Sequence, residues 1–278
     1  MNALEKINVF LGIYFEVFKN LKKGLLYLPF LIYAFFQIIL IFKLYFFNLP
    51  IFSWLFFPLY KFLWGDYLLH YPDYFVFFPK IFSRFNLGMN GFIGIVFNGA
   101  AIFLFASFFR GEKAYLLAGI KNSFSKYGWL FLGWLMETAI LVVVIYFPSK
   151  SFSSFAGSFS TEFLFDFLLL VGGVIFSSLF AYMQAGIILD HKKVFPAIFQ
   201  SFSIFKKNFF TTFFFVLWPN LLVLPFNFLN RRSPYLIGKF NPELVVYLQI
   251  FSVIVALFTS FFLVGTITRF YLWQQGER

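Results

Sequence analysis

Cysteine is absent from the 278-residue chain, and histidine occurs only twice, as His70 and His191. The first absence excludes disulfides and Cys-ligated zinc or iron–sulfur centres, and the second leaves little for haem or imidazole-based metal chemistry. Charge is also scarce. Charged residues make up 12% of the chain, about half the usual share of a soluble domain, and only 11 of them are acidic. That balance argues against a water-soluble fold. The short motifs of soluble enzymes are missing as well: there is no GxxxxGK[ST], GxSxG, HExxH or GxGxxG. No catalytic residue, metal ligand or cofactor is therefore assigned, and a non-enzymatic protein is expected.

What fills the chain is oil. Hydrophobic residues account for 61% of it, 52 of them phenylalanine, and the mean hydropathy is +0.84. Apolar runs of membrane-spanning length recur, because a bilayer core about 30 Å thick takes a helix of about 20 residues. Six spans are predicted, at 24–42, 91–109, 129–147, 163–189, 210–229 and 244–268. The first is read as a retained anchor, since Glu5 and Glu16 precede it and no small-x-small cleavage site follows. The result is an all-α class: a polytopic bundle forming a single integral membrane domain over 1–278.

Excess positive charge can signal nucleic acid, but here Lys and Arg sit in short segments between apolar runs. In that setting they set topology and touch anionic lipid, and no nucleic-acid partner is expected. With the N-terminus inside, fourteen of the 22 Lys and Arg residues fall on the cytoplasmic side and eight outside. This bias predicts an inner-membrane protein with both termini cytoplasmic.

The cytoplasmic segments share a pattern. Leu4, Ile7, Leu11, Tyr14, Phe18 and Leu21 recur at spacings of three and four. So do Leu116, Leu117, Ile120, Phe124 and Tyr127, and again Val194, Ile198, Phe202, Phe205 and Phe209. Each set predicts a basic amphipathic helix lying in the headgroup plane. Lys19, Lys22, Lys23, Lys121, Lys126, Lys192, Lys193, Lys206 and Lys207 would meet anionic headgroups. The arrangement repeats in three units, 1–109, 110–189 and 190–278. Between the second and third, GIKNSFS at 119–125 aligns with AIFQSFS at 197–203, with four of seven positions identical.

The A-I-x-x-S-F step after Asp190-His191-Lys192-Lys193, with the run into 209–218, resembles a loose group of bacterial six-span membrane proteins. That group includes the membrane domain found beside some glycerophosphodiester phosphodiesterases. The resemblance implies an all-helical membrane domain without an assigned reaction, and it carries over no enzymatic residue.

Inside the spans, polar residues stand out because they are costly there. Glu137 lies about 12 Å into the third span, and an acid at a helix centre costs about 2.5–3.5 kcal/mol to insert. Asn98, Asn220 (beside the helix-bending Pro219), Ser177 and Thr259 fall at comparable depth, so a midplane polar layer is expected. Glu137 has two readings, a proton or substrate relay and a hydrogen-bond clasp between helices. Rows of small residues, Gly173/Ser177/Ala181/Ala185 and Ser252/Ala256/Ser260, predict close helix packing.

The loop 48–90 is aromatic and broken by Pro58, Pro72 and Pro79, and interfacial or re-entrant helices capping the outer face are expected. Asp66, His70 and Asp73, spaced by four and three, form a candidate outer cluster. Three functions follow. The preferred one is a non-enzymatic bundle that interacts with lipid or protein partners. The alternatives are a small transporter built on a polar cavity around Glu137, and a lipid-modifying enzyme acting at the outer face.

Overall fold

The protein is all-helical over the residues described by the computed structural model, which are 3–46, 58, 61, 73–152 and 159–277. Thirteen helices are described. They are α1 (Ala3–Lys19), α2 (Gly24–Tyr45), α3 (Asp73–Met89), α4 (Ile95–Phe109), α5 (Leu116–Ser125), α6 (Tyr127–Phe152) and α7 (Phe159–Phe180). The remainder are α8 (Met183–Leu189), α9 (Val194–Lys207), α10 (Phe209–Leu221), α11 (Leu224–Arg231), α12 (Ser233–Lys239) and α13 (Leu244–Gln274).

Four stretches are long and apolar enough to cross a membrane uninterrupted: Gly24–Tyr45, Tyr74–Phe109, Phe167–Leu189 and Leu244–Gln274. Two more qualify only as bent pairs, α5 with α6 at 74° and α10 with α11 at 48°, giving up to six. The apolar surface these helices leave uncovered, including Phe35 and Phe36 on α2, Leu164 and Leu168 on α7 and Trp218 on α10, is what a lipid-facing bundle presents.

The second span departs from its predicted start at Gly91. α3 runs into α4 through one π turn, Asn90–Gly94, making a 36-residue helix about 54 Å long. The segment 73–90 is thus the first half of one long helix rather than a proline-broken loop; 47–57, 59–60 and 62–72 lie outside the described residues. The cause is a helical stripe. Tyr74, Phe75, Phe78, Ile81 and Phe82 are buried and pack with Ile41 and Leu44 of α2 and Val245, Val246 and Val253 of α13. Pro79 takes one backbone hydrogen bond from α3, and the stripe outweighs that loss. The Tyr74 hydroxyl donates to the Leu44 carbonyl and Ser233 Oγ donates to Val76 O at 3.0 Å, tying α3 to α2 and α12.

Both chain ends gather at the other end of the bundle, called the terminal end below. α1 docks there through buried Ile13 and Val17, with Phe10 stacked on Phe215 of α10 and Glu16 bonded to Arg269 of α13 at 2.7 Å. α5 turns its small face inward. Gly119 lies so close to α4 that an added Cβ would come within 3.0 Å of the Ala100 carbonyl oxygen. Ser123 is fully buried, while Leu117 is 79% exposed. In α9 the corresponding Ala197 and Ser201 are also fully buried, packed against α7 and α8. The residues shared by the two aligned segments therefore include contact residues of each helix.

A polar cavity as candidate functional site

Glu137 on α6, Asn98 on α4, Asn220 on α10 and Ser177 on α7 line one cavity of about 590 Å³. Gln184 on α8 and Asn90 of the π turn, neither singled out from the sequence, join them. Thr259 does not; it is buried elsewhere on α13, with Oγ1 donating to Val255 O at 2.9 Å. A clasp would require a hydrogen bond between Glu137 and Asn98 or Asn220. Among the described residues there is none, and Asn220 Nδ2 donates instead to Val216 O at 2.7 Å within its own helix. Glu137 is half-buried on the cavity wall.

The backbone is irregular where it borders this cavity. The π turn places Asn90 at the wall, with its side chain folded over Gly94: a Cβ there would lie 2.2 Å from Asn90 Oδ1. α7 ends at Phe180, and the chain turns through Ala181 and Tyr182 before α8. The backbone groups freed by that break are satisfied from α9, since Tyr182 N–H donates to Ser201 Oγ at 3.1 Å and Ser201 Oγ donates to Leu179 O at 2.6 Å. Pro219, one residue before Asn220, lies inside α10. Such departures are tolerated at membrane depth where protein or a cavity takes up the released groups.

The small-residue rows have a different use from the one predicted. Ser177 and Ala181 line the main cavity, Gly173 lines a neighbouring one of about 250 Å³, and only Ala185 is fully buried in packing. Ser252, Ala256 and Ser260 on α13 likewise face cavities. Here small side chains leave volume open instead of drawing backbones together. Close approach occurs elsewhere, at Gly119 on Ala100 and at Gly91, whose Cβ would strike the Trp134 ring at 2.4 Å.

Asn90 and Asn98 also border a 210 Å³ cavity that reaches Gln37 and Asn86, where Gln37 Nε2 donates to Asn86 Oδ1 at 2.8 Å. Gln37 and Asn86 in turn border a cleft of about 790 Å³ at the far end. Shared amide side chains thus link the Glu137 cavity stepwise to the far end of the bundle.

The terminal end is closed by ion pairs and hydrogen bonds. Asp190 Oδ2 accepts from the Tyr271 hydroxyl at 2.7 Å and lies 3.1 Å from Lys192 Nζ, while Oδ1 accepts from Gln275 Nε2 at 2.8 Å. Burial works to raise the Asp190 pKa, but donors from Tyr271, Gln275, Lys192 and Gln200 outweigh it and hold the carboxyl below its ordinary value. Arg110 grips Glu277 through two bonds of 2.8 and 2.7 Å, which raises the guanidinium's pKa and lowers the carboxyl's.

Among the lysines predicted to reach headgroups, Lys19, Lys22, Lys23, Lys121, Lys193, Lys206 and Lys207 are exposed, and Lys192 pairs with Asp190. Lys126 turns inward instead. It is 9% exposed, and its Nζ donates to the Ile188 carbonyl at 2.6 Å, which caps the end of α8. Asp66 and His70 lie outside the described residues, and Asp73 appears only as the first residue of α3. Among the described residues no group of three His, Cys, Asp or Glu could hold a metal ion. Comparison with known protein families, curated proteins and solved structures finds no match for the chain.

Proposed function

We propose that the protein is a non-enzymatic multi-pass carrier of the inner membrane, moving a small polar solute through the bundle, with Glu137 as its proton-exchanging group. One observation carries this reading: Glu137 borders an open cavity, apolar over most of its wall but shared with Asn90, Asn98, Ser177, Gln184 and Asn220, and makes no hydrogen bond or ion pair among the described residues. An intramembrane acid bonded to a neighbouring helix would be a structural joint, whereas one facing volume is available to solute or water. Both termini lie on the cytoplasmic side in this reading, as the Lys and Arg bias implies.

The absence of native cysteine makes the test clean. In proteoliposomes, Asn98→Cys and Ser177→Cys are expected to react with a membrane-impermeant maleimide, while Thr259→Cys stays unreacted. Silence at both cavity positions would refute an accessible chamber. The coupling step is read by loading proteoliposomes with the pH dye pyranine and adding small polyols, amino acids and phosphorylated polyols. Wild type should couple proton movement to at least one solute, and Glu137→Gln should lose that coupling. An unchanged signal would remove Glu137 from the mechanism.

A bundle that organises lipid stands second. It is favoured by exposed Leu117 and Phe124 on α5 and Phe195 and Phe199 on α9, which lie beside exposed lysines. The two readings are compatible, because Leu117, Phe124, Phe195 and Phe199 do not line the Glu137 cavity.

A further inference from the structure

The Glu137 cavity carries charge of one sign. Among the described residues that line it, Glu137 is the one ionisable side chain, and no Lys, Arg or His joins it. Arg231 borders the neighbouring cavity of about 250 Å³ instead. The amides of Asn90, Asn98 and Gln184 offer donors and acceptors alike and so prefer neither sign. Asn220 commits Nδ2 to Val216 O, which leaves its side-chain oxygen as an acceptor. The sign of a ligand is therefore set by Glu137. An anion would meet an unopposed carboxylate, whereas a cation would pair with it.

The wall narrows the ligand further. Trp134 and Glu137 lie three residues apart on α6, and Thr138 and Leu141 continue the same face along the cavity. An aromatic ring one turn from a carboxylate offers an organic cation two attractions, one from the charge and one from the ring quadrupole. The Trp134 ring is seated firmly. Its centroid lies 5.7 Å from that of Phe131, and an added Cβ at Gly91 of the π turn would come within 2.4 Å of it. Size and apolarity argue against a bare metal ion. At about 30 Å³ per water, the 590 Å³ chamber is roughly twenty water volumes. A hard cation asks for about six or more oxygen ligands, whereas Ile95, Val216 and Ile267 offer a surface for a hydrocarbon body.

We propose that this chamber binds a small organic cation, a protonated amine or quaternary ammonium on an apolar body, with its charge against Glu137 and Trp134. The proposal rests on the carrier reading and names the class of its solute. The cation arrives as the proton on Glu137 leaves, so the chamber keeps the same charge throughout the exchange.

The test uses the full chain in detergent and three probes, phenylethylammonium, phenylethanol and phenylacetate. They share one aromatic body, and their heads are positive, neutral and negative at about pH 7. Isothermal titration calorimetry, with protein-free micelles as the blank, should find the cation bound about tenfold more tightly than the other two. Glu137→Gln should erase that preference and leave phenylethanol binding unchanged. Trp134→Leu should weaken the cation about threefold more than the alcohol. A variant that loses all three probes has lost its chamber, and the wild-type comparison then decides alone. Equal affinity for the three heads, a preference for phenylacetate, or no binding of the cation would overturn the proposal. So would a cation preference that survives in Glu137→Gln.

Pyranine-loaded proteoliposomes separate this outcome from that of the carrier reading. Proton movement driven by phenylethylammonium supports both. Cation preference in binding, with no pyranine response to any solute, keeps the site and removes the carrier. A pyranine response to another solute, with no cation preference, keeps the carrier and removes this proposal.

Discussion

Asp190 and Tyr271 should behave as one energetic unit, and a double-mutant cycle measures how strongly. The hydroxyl of Tyr271, on fully buried ring atoms of α13, donates to a carboxylate that follows α8. A hydrogen bond to a charged group contributes about 1.5–3 kcal/mol net. Asp190 is only half-buried, so solvent screening places the pair nearer the lower bound, about 1–2 kcal/mol. Tyr271→Phe should cost about that much, and Asp190→Asn more, because Lys192 and Gln275 lose the same charged acceptor. Equilibrium unfolding in mixed detergent–SDS micelles, followed by tryptophan fluorescence, gives the four free energies, and the expected coupling is about 1–2 kcal/mol. Acid gives an independent reading. The folded Asp190 pKa is depressed, so its contribution is fully present above the unfolded value of about 3.9 and is lost as pH falls through the lower folded value. Wild type should therefore lose stability below about pH 4, and Asp190→Asn should show a flatter acid limb. Coupling under about 0.3 kcal/mol, or superimposable acid limbs, would show that the cluster does not hold α13 to the end of α8.

Three further outcomes follow from the packing. Gly119→Val should destabilise by about 1–3 kcal/mol, because its Cβ meets the Ala100 backbone oxygen, which cannot move aside as a side chain could; the same unfolding assay should find Gly24→Val far milder, since nothing lies within 4 Å there. Ser201→Ala should cost about 1–3 kcal/mol by stranding Tyr182 N–H and Leu179 C=O at the α7–α8 break, and hydrogen exchange should rise at Tyr182 itself. His191 holds a left-handed φ of 56°, so His191→Gly should raise the unfolding midpoint, by a gain of about 1 kcal/mol; a lowered midpoint would mean the imidazole makes a contact that outweighs the strain.

Length and apolarity made the bundle legible, because a run of about 20 hydrophobic residues has few other uses. Continuity was harder to read. Pro72 and Pro79 punctuate the sequence before Gly91, and Lys80 and Arg84 depress the local hydropathy, so 73–90 looks like loop. In the folded chain Tyr74, Phe75, Phe78, Ile81 and Phe82 lock that segment onto α2 and α13. The stripe is visible in the sequence, but its partners are more than a hundred residues away in one case. The bend at 125–127 was easier to read, because an in-plane helix ending near Tyr127 ahead of a span from 129 requires a turn there. The folded chain turns by 74°, with Gly119 and Ser123 packing α5 onto α4.

Glu137, Asn98, Asn220 and Ser177 could be picked out by depth alone, since a polar group inside an apolar run stands against a solvation cost. Asn90, Asn86 and Gln184 escaped notice because the first two lay in an assumed loop and the third near a helix end. The far-end cations were visible only as charges counted against the topology bias, and only the folded chain brings Lys80 and Arg84 of α3 and Arg231 of α11 to the wall of one cleft.

Spacing shows which residues share a helix face, but it does not show whether that face meets a neighbour or an open volume. Ser177 and Ala181 illustrate the limit, since the row that would close a helix pair instead lines the cavity. The irregular backbone decides between the two uses. A π turn, a helix break and a helix-interior proline occur on three different elements, and residues at or beside each one line the same cavity. Each gives up regular hydrogen bonding, and Ser201 is buried to repair one of them. A bundle shaped only to present lysines and phenylalanines to lipid would gain nothing from that concentration of irregularity in its interior. A bundle that must hold polar groups around a solute gains the shape of its chamber, and for that reason the carrier reading stands ahead of the lipid-organising one.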